Sequence, residues 1–188
     1  MAVPGAVVLV RTPDFELLRP YGFRDVERHE PMTVDDHFRV GSTTKTMVGT
    51  VALQLAAEGL LELADPIADF RPDVPNGTSI TIANLLEMRS GLYNYYESYA
   101  FNATLDSDPG RAWAPDELVD IGLSGPQTFA PGTDFEYSNT NTVLLATILE
   151  QITGRDIGTL LRQRIFEPLT MTDSSFPAPN DSSLPEPF

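Results

Sequence analysis

The sequence predicts an α+β chain in which strands come first and helices follow. Three observations carry this. Gly5-Ala6-Val7-Val8-Leu9-Val10 is a short apolar, β-branched run behind Pro4, the pattern of a buried strand. From Ser42 to Gly59 the chain keeps a helical apolar pattern through Met47, Val48, Val51, Ala52, Leu55 and Ala56, with a glycine where a helix ends. Beyond residue 60 more helical patterns follow, with no second set of strands and no internal repeat.

In chain order, Thr12-Pro13-Asp14 reads as a turn and residues 16–22 as the partner strand of a hairpin. Arg24 to Asp36 is polar and reads as irregular, and Phe38-Arg39-Val40 as an extended lead-in to Ser42. Residues 60–67 read as a turn with a short helical piece, and the proline-rich residues 71–77 as loop. Residues 81–88 suit a short amphipathic helix that Ser90-Gly91 ends. The tyrosines of Tyr93-Asn94-Tyr95-Tyr96 start a long loop, and either line a cleft or pack the loop onto the body. Pro115 opens a helix with acids in its first turn. Residues 129–139 read as loop, 140–152 as a helix closed by Gly154, with Asn139 a candidate N-cap, and 157–166 as another helix. The proline- and serine-rich residues 177–188 read as a disordered tail.

At 188 residues the chain is long enough for one domain with its own core. Its formal net charge of −15 argues against nucleic acid and anionic membrane surfaces as partners. No apolar run is long enough to span a bilayer. Met1-Ala2-Val3-Pro4 leads directly into a strand, without the basic and small-residue pattern of an export signal, and localisation stays unassigned. There is no cysteine, and the two histidines, His29 and His37, both precede Ser42, a poor inventory for zinc. No cofactor or metal is expected.

Chemistry enters at Val40-Gly41-Ser42-Thr43-Thr44-Lys45-Thr46. Residues three apart share a helix face, so the Ser42 hydroxyl and the amine of Lys45, the only lysine, can meet. A serine hydroxyl becomes nucleophilic when a neighbouring base takes its proton. Burial in an apolar helix and the positive end of the helix dipole both favour a neutral lysine able to do so. A second stretch, Tyr137-Ser138-Asn139, stands just before a helix.

Together these stretches resemble the serine β-lactamase-like and penicillin-binding families, in particular the class C β-lactamase and D-alanyl-D-alanine carboxypeptidase branch. The opening Val3-Pro4-Gly5-Ala6, the segment Leu85-Leu86-Glu87-Met88-Arg89-Ser90-Gly91-Leu92 (with Met88 where histidine is common), the lead-in Phe129-Ala130-Pro131-Gly132 and the run Pro168 to Phe176 match in the same order. The resemblance implies an antiparallel sheet with flanking helices plus an all-helical domain. It divides the chain into residues 1–59 (opening strands and nucleophile helix), residues 60–176 (helical domain) and the tail 177–188.

It further implies that Ser42 is acylated, that Lys45 is its base or proton shuttle, that Tyr137 moves protons to the leaving group and then activates water, and that Asn139 holds the substrate amide and the Lys45 amine. Which of Lys45 and Tyr137 is the acylation base stays open. The Ser42 N–H would be half of an oxyanion hole. The family's third motif, Lys-Thr-Gly or His-x-Gly on a late strand, has no counterpart, because no lysine or histidine follows Lys45. The chain therefore resembles the N-terminal portion of a family member, without the C-terminal strands. Two readings follow. One is a serine hydrolase forming an acyl-enzyme with a β-lactam, a D-Ala-D-Ala peptide or an ester, with a small molecule or peptide as its partner. The other is a shortened member without efficient catalysis, acting as a binding or partner-dependent subunit. A homo-oligomer or a partner that completes the sheet is compatible with both. Family members are often extracytoplasmic.

Overall fold

The computed structural model describes residues 3–178 and residue 181. These divide into two compact units, residues 3–40 and residues 41–178 with 181. The expected tail lies mostly outside the described residues.

The first unit is a small antiparallel sheet in the order β1-β2-β3. β1 (Gly5–Arg11) pairs with β2 (Glu16–Asp25) from Gly5 opposite Gly22 to Arg11 opposite Glu16. The turn closes with the Thr12 N–H donating to the Phe15 carbonyl at 2.8 Å. β1 is a strand as the β-branched run predicts, but it is not buried: Val8, Leu9 and Val10 are each at least 40% exposed. The polar stretch after Arg24 also holds an element that its composition hides. β3 (Glu30–Pro31) pairs with β2 across an irregular register. Arg24 ties it down, its guanidinium meeting Glu30 and the Asp36 carboxylate.

The second unit is helical. A 3-10 turn, Gly41–Thr43, leads into α1 (Thr44–Ala57), so Ser42 sits two residues before the first residue of the α-helix. The helix ends where glycine predicts. Gly59 has φ +74, its N–H donates to Ala56, and the Leu60 N–H reaches back to Leu55, which satisfies carbonyls that the helix end leaves open. Val48, Val51, Ala52 and Leu55 form its buried face.

α2 (Ile82–Leu86) starts from a reciprocal cap between Thr81 and Asn84. The stretch after Tyr93 is not one long loop. It folds into a 3-10 turn, Tyr95–Glu97, and then α3 (Tyr99–Ser107), capped by Ser98. Serine at the N-cap is the signal that identifies this helix. α4 (Pro115–Ser124) begins at its proline, and the Glu117 carboxylate accepts from the Ala114 N–H at 2.8 Å. α5 (Asn139–Thr153) packs against α1, α2, α4 and α6. α6 (Ile157–Leu161) is capped by Asp156 and runs on as a π-helical turn, Arg162–Phe166, not as one continuous α-helix. The core of this unit lies between α1 and α5, around Leu55, Ile82, Leu144 and Ile148.

Candidate active site

Ser42 and Lys45 are held three residues apart by the turn that opens α1, and Lys45 Nζ donates to Ser42 Oγ at 3.1 Å. Ser42 Oγ also lies 2.8 Å from the Tyr137 hydroxyl, 95 residues further on. Lys45 Nζ stands 4.9 Å from the centroid of the Tyr137 ring. Ser42 Oγ accepts from Lys45, and between Ser42 and Tyr137 either hydroxyl can be the donor. Ser42 is exposed and Lys45 half-buried, so the lysine is less enclosed than its apolar helix suggests. Burial by itself would raise the Tyr137 phenol. Hydrogen bonds with Lys45 and Ser42, together with the Lys45 charge, outweigh it and hold the phenol below its ordinary value.

Asn139 is the first residue of α5, and Ser138 is its N-cap, with a buried hydroxyl that has no hydrogen-bond partner. The Asn139 N–H and side-chain Nδ2 both donate to Asn94 Oδ1, at 3.1 and 3.2 Å. The same oxygen accepts from the Tyr96 N–H at 3.3 Å. One carboxamide thus joins the tyrosine loop to the start of α5. Thr140 repeats the device, its hydroxyl donating to the Tyr93 carbonyl at 2.7 Å and accepting from the Tyr95 N–H at 3.1 Å.

The loop that delivers Tyr137 is pinned to residues 88–92. The Glu136 N–H donates to the Met88 carbonyl at 3.0 Å, the Gly132 N–H to the Arg89 carbonyl at 2.8 Å, and the Arg89 guanidinium to the Gly132 carbonyl at 2.6 Å. Gly91, at φ +74, passes so close to this loop that a Cβ there would lie 2.2 Å from the Phe129 carbonyl oxygen. Beneath it, the buried Ser90 hydroxyl donates to Asn141 Oδ1 at 2.6 Å and accepts from the Leu92 N–H at 3.0 Å. Asn141 Nδ2 meets Met88 Sδ at 3.4 Å. Asn94, Ser90 and Asn141 tie these segments together, and of the three the sequence singles out only Ser90, inside the family-like segment and without this hydrogen-bonding part. Asn141 carries one signal, a polar side chain on the same helix face as Leu144, Leu145 and Ile148.

A cleft of about 560 Å³ opens beside Lys45 and Asn139 and runs between α1 and α5 toward Asp156. Val48, Tyr95, Trp113 and Leu118 are among its walls. Among the described residues there is no group of three or more His, Asp or Glu side chains able to hold a metal ion, and no helix long and apolar enough to cross a membrane.

The chain is similar to known proteins in sequence and in fold. The Beta-lactamase family model matches residues 1–185. A D-stereospecific amidohydrolase from Streptomyces sp. superposes with a TM-score of 0.89 at 36% identity, over 98% of this chain and 55% of that one. A D-amino acid amidase from Ochrobactrum anthropi SV3 does so with 0.82 at 32% identity, over 93% and 49%. A D-aminopeptidase of Brucella ovis is 30% identical over 174 residues, which are 89% of this chain and 32% of the relative. The chain thus spans about half the length of the two solved structures, and less of the curated relative.

Proposed function

The chain belongs to the β-lactamase family, and from that premise we propose that it carries the nucleophile of a serine hydrolase that forms an acyl-enzyme on Ser42 with amides of D-configured amino acids. The observation that carries the reading is Ser42 Oγ, held between the Tyr137 hydroxyl at 2.8 Å and Lys45 Nζ at 3.1 Å. The D-amide class is taken from the amidohydrolase, amidase and aminopeptidase relatives.

Tyr137, its phenol lowered toward phenolate, takes the Ser42 proton as Oγ attacks the amide carbonyl. Lys45 donates to Oγ and keeps that proton path aligned. The tetrahedral oxyanion is met by the Ser42 backbone N–H, an interaction worth about 3 kcal/mol per well-placed donor. Collapse breaks the C–N bond, and Tyr137 returns the proton to the departing amine. Water then attacks the ester, giving its proton to Tyr137 and its hydroxyl to the acyl carbon, and Ser42 recovers its hydrogen as the D-amino acid leaves. Asn139, clamped by Asn94, offers its carboxamide to the substrate.

The test is intact mass after incubation with a penicillin, alongside p-nitroaniline release from D-alanine p-nitroanilide, with Ser42→Ala as control. The expected result is a covalent adduct on the wild type alone, with turnover lower by about 10⁴-fold or more in the variant. Equal behaviour of the two proteins would falsify the reading.

A further inference from the structure

We propose that the cleft beside Lys45 and Asn139 is a subsite for a bulky, uncharged side chain on the acyl part of the substrate, with Trp113 and Tyr95 as its aromatic wall. The inference rests on the reading of Ser42 as the nucleophile. In a simple amino-acid amide the leaving group is ammonia, so the acyl side chain is the group whose size varies.

Position, size and lining agree. Lys45 and Asn139 are among the walls of the cleft, and Lys45 Nζ is 3.1 Å from Ser42 Oγ, so this end of the cleft lies one side chain away from the nucleophile. Its volume of about 560 Å³ falls within the roughly 300–1,000 Å³ of small-molecule sites. Val48 lines it from α1, Leu118 from α4 and Val143 from α5. The aromatic wall is already built. Trp113 packs on Phe101 with ring centroids 5.1 Å apart, Phe101 packs on Tyr95 at 5.2 Å, and the Arg111 guanidinium lies 3.8 Å from the Trp113 ring centre. A ligand ring would meet ordered surfaces and not have to order them.

Charge narrows the class. Lys45 is the only cationic side chain in the lining and is engaged with Ser42. The distal end carries Glu150 and Asp156, each fixed by a backbone N–H, from Ile157 at 2.7 Å and from Thr159 at 2.8 Å. Hydrogen bonds from the Thr159 side chain and backbone keep Asp156 below the usual carboxylate range. An acidic side chain would meet like charge there; an aromatic or branched aliphatic one would not.

Trp113 is the only tryptophan, so its emission reports on the cleft. The experiment titrates Ser42→Ala with D-phenylalaninamide, D-alaninamide and the α-amide of D-glutamate, and measures wild-type acylation by the matching p-nitroanilides. The expected result is a Trp113 response to D-phenylalaninamide, and acylation by the phenylalanine substrate faster by about tenfold or more than by the alanine one, with the glutamate one slowest. Ala146→Phe, which narrows the cleft, should reduce the phenylalanine-to-alanine ratio toward one. Equal acylation by all three with unchanged Trp113 emission overturns the subsite and leaves Ser42 as nucleophile. A Trp113 response to D-phenylalaninamide without any acylation supports the subsite and sinks the role of Ser42.

Discussion

The two units of this chain solve the problem of stability differently. In residues 41–178 the apolar side chains of α1 and α5 meet each other, and Leu55, Leu144 and Ile148 are fully buried. In residues 3–40 none of the described apolar side chains is buried, and Leu9 is 54% exposed. That unit is held by the β1–β2 ladder and by Arg24 bridging Glu30 and Asp36. The candidate site belongs wholly to the better-packed unit. Ser42 and Lys45 open α1, Tyr137 and Asn139 lead into α5, and those two helices pack on each other. A hydrogen bond that must stay near 3 Å through a reaction is therefore fixed by a close-packed core rather than by the hairpin.

The comparison breaks most visibly if core and hairpin respond alike to truncation. Leu144→Ala should cost about 3 kcal/mol, the transfer and cavity cost of a fully buried leucine. Leu9→Ala should cost less than about 1 kcal/mol, because much of its side chain already meets water. Urea unfolding of the two variants against wild type measures both. A Leu9 variant as damaged as the Leu144 variant would mean that another surface covers the hairpin in solution.

The same contrast decides what the sequence can tell. Regular periodicity makes α1, α4 and α5 legible, because each buries one stripe against the others. The serine-to-lysine spacing alone puts Ser42 and Lys45 on one face. Nothing local brings Tyr137 to them across 95 residues; that pairing is readable only through the resemblance of Tyr137-Ser138-Asn139 to a known motif. The missed elements are those whose cause is not periodic. β3 has two residues and depends on Arg24, and α3 is announced by the Ser98 cap behind a run of tyrosines. Asn94 escapes notice because its partner, Asn139, is distant in sequence and its own surroundings read as loop. The expectation of a buried β1 fails for the complementary reason. A β-branched run reports a preference for strand, and burial depends on what packs against it.

A smaller and more local effect sharpens the comparison from the site's side. Gly91→Ala adds a methyl group 2.2 Å from the Phe129 carbonyl, at a φ that L-residues avoid. The loop before Tyr137 must shift, at a cost of about 1–3 kcal/mol. Acylation of Ser42 should fall by more than the loss of folded protein explains, because the loop that moves is the one that carries Tyr137. Intact-mass kinetics corrected for the folded fraction by circular dichroism separate the two. If acylation falls only in proportion to unfolding, the contact between residues 88–92 and 128–136 is structural and does not position Tyr137.

The smallest effect belongs to the hairpin and to pH. The Asp36 carboxylate accepts from the Thr33 N–H at 2.6 Å, the first cause of its lowered pKa, with Arg24 adding to it against the cost of burial. A carboxyl held lower in the folded state stabilises that state in full above its unfolded value of about 4, and the contribution fades as pH falls through the lower folded value. Asp36→Asn removes this charge from the unit that has no buried apolar core. Hydrogen exchange near neutral pH should then speed up across β2 and β3, with α1 and α5 unchanged, and the difference from wild type should shrink as pH falls through the lowered folded value, where Asp36 takes up its proton in the wild type as well. An equal rise in exchange across α5 would show that the hairpin and the helical unit open together, and the contrast between an independently packed core and a ladder held by charge would have to be given up.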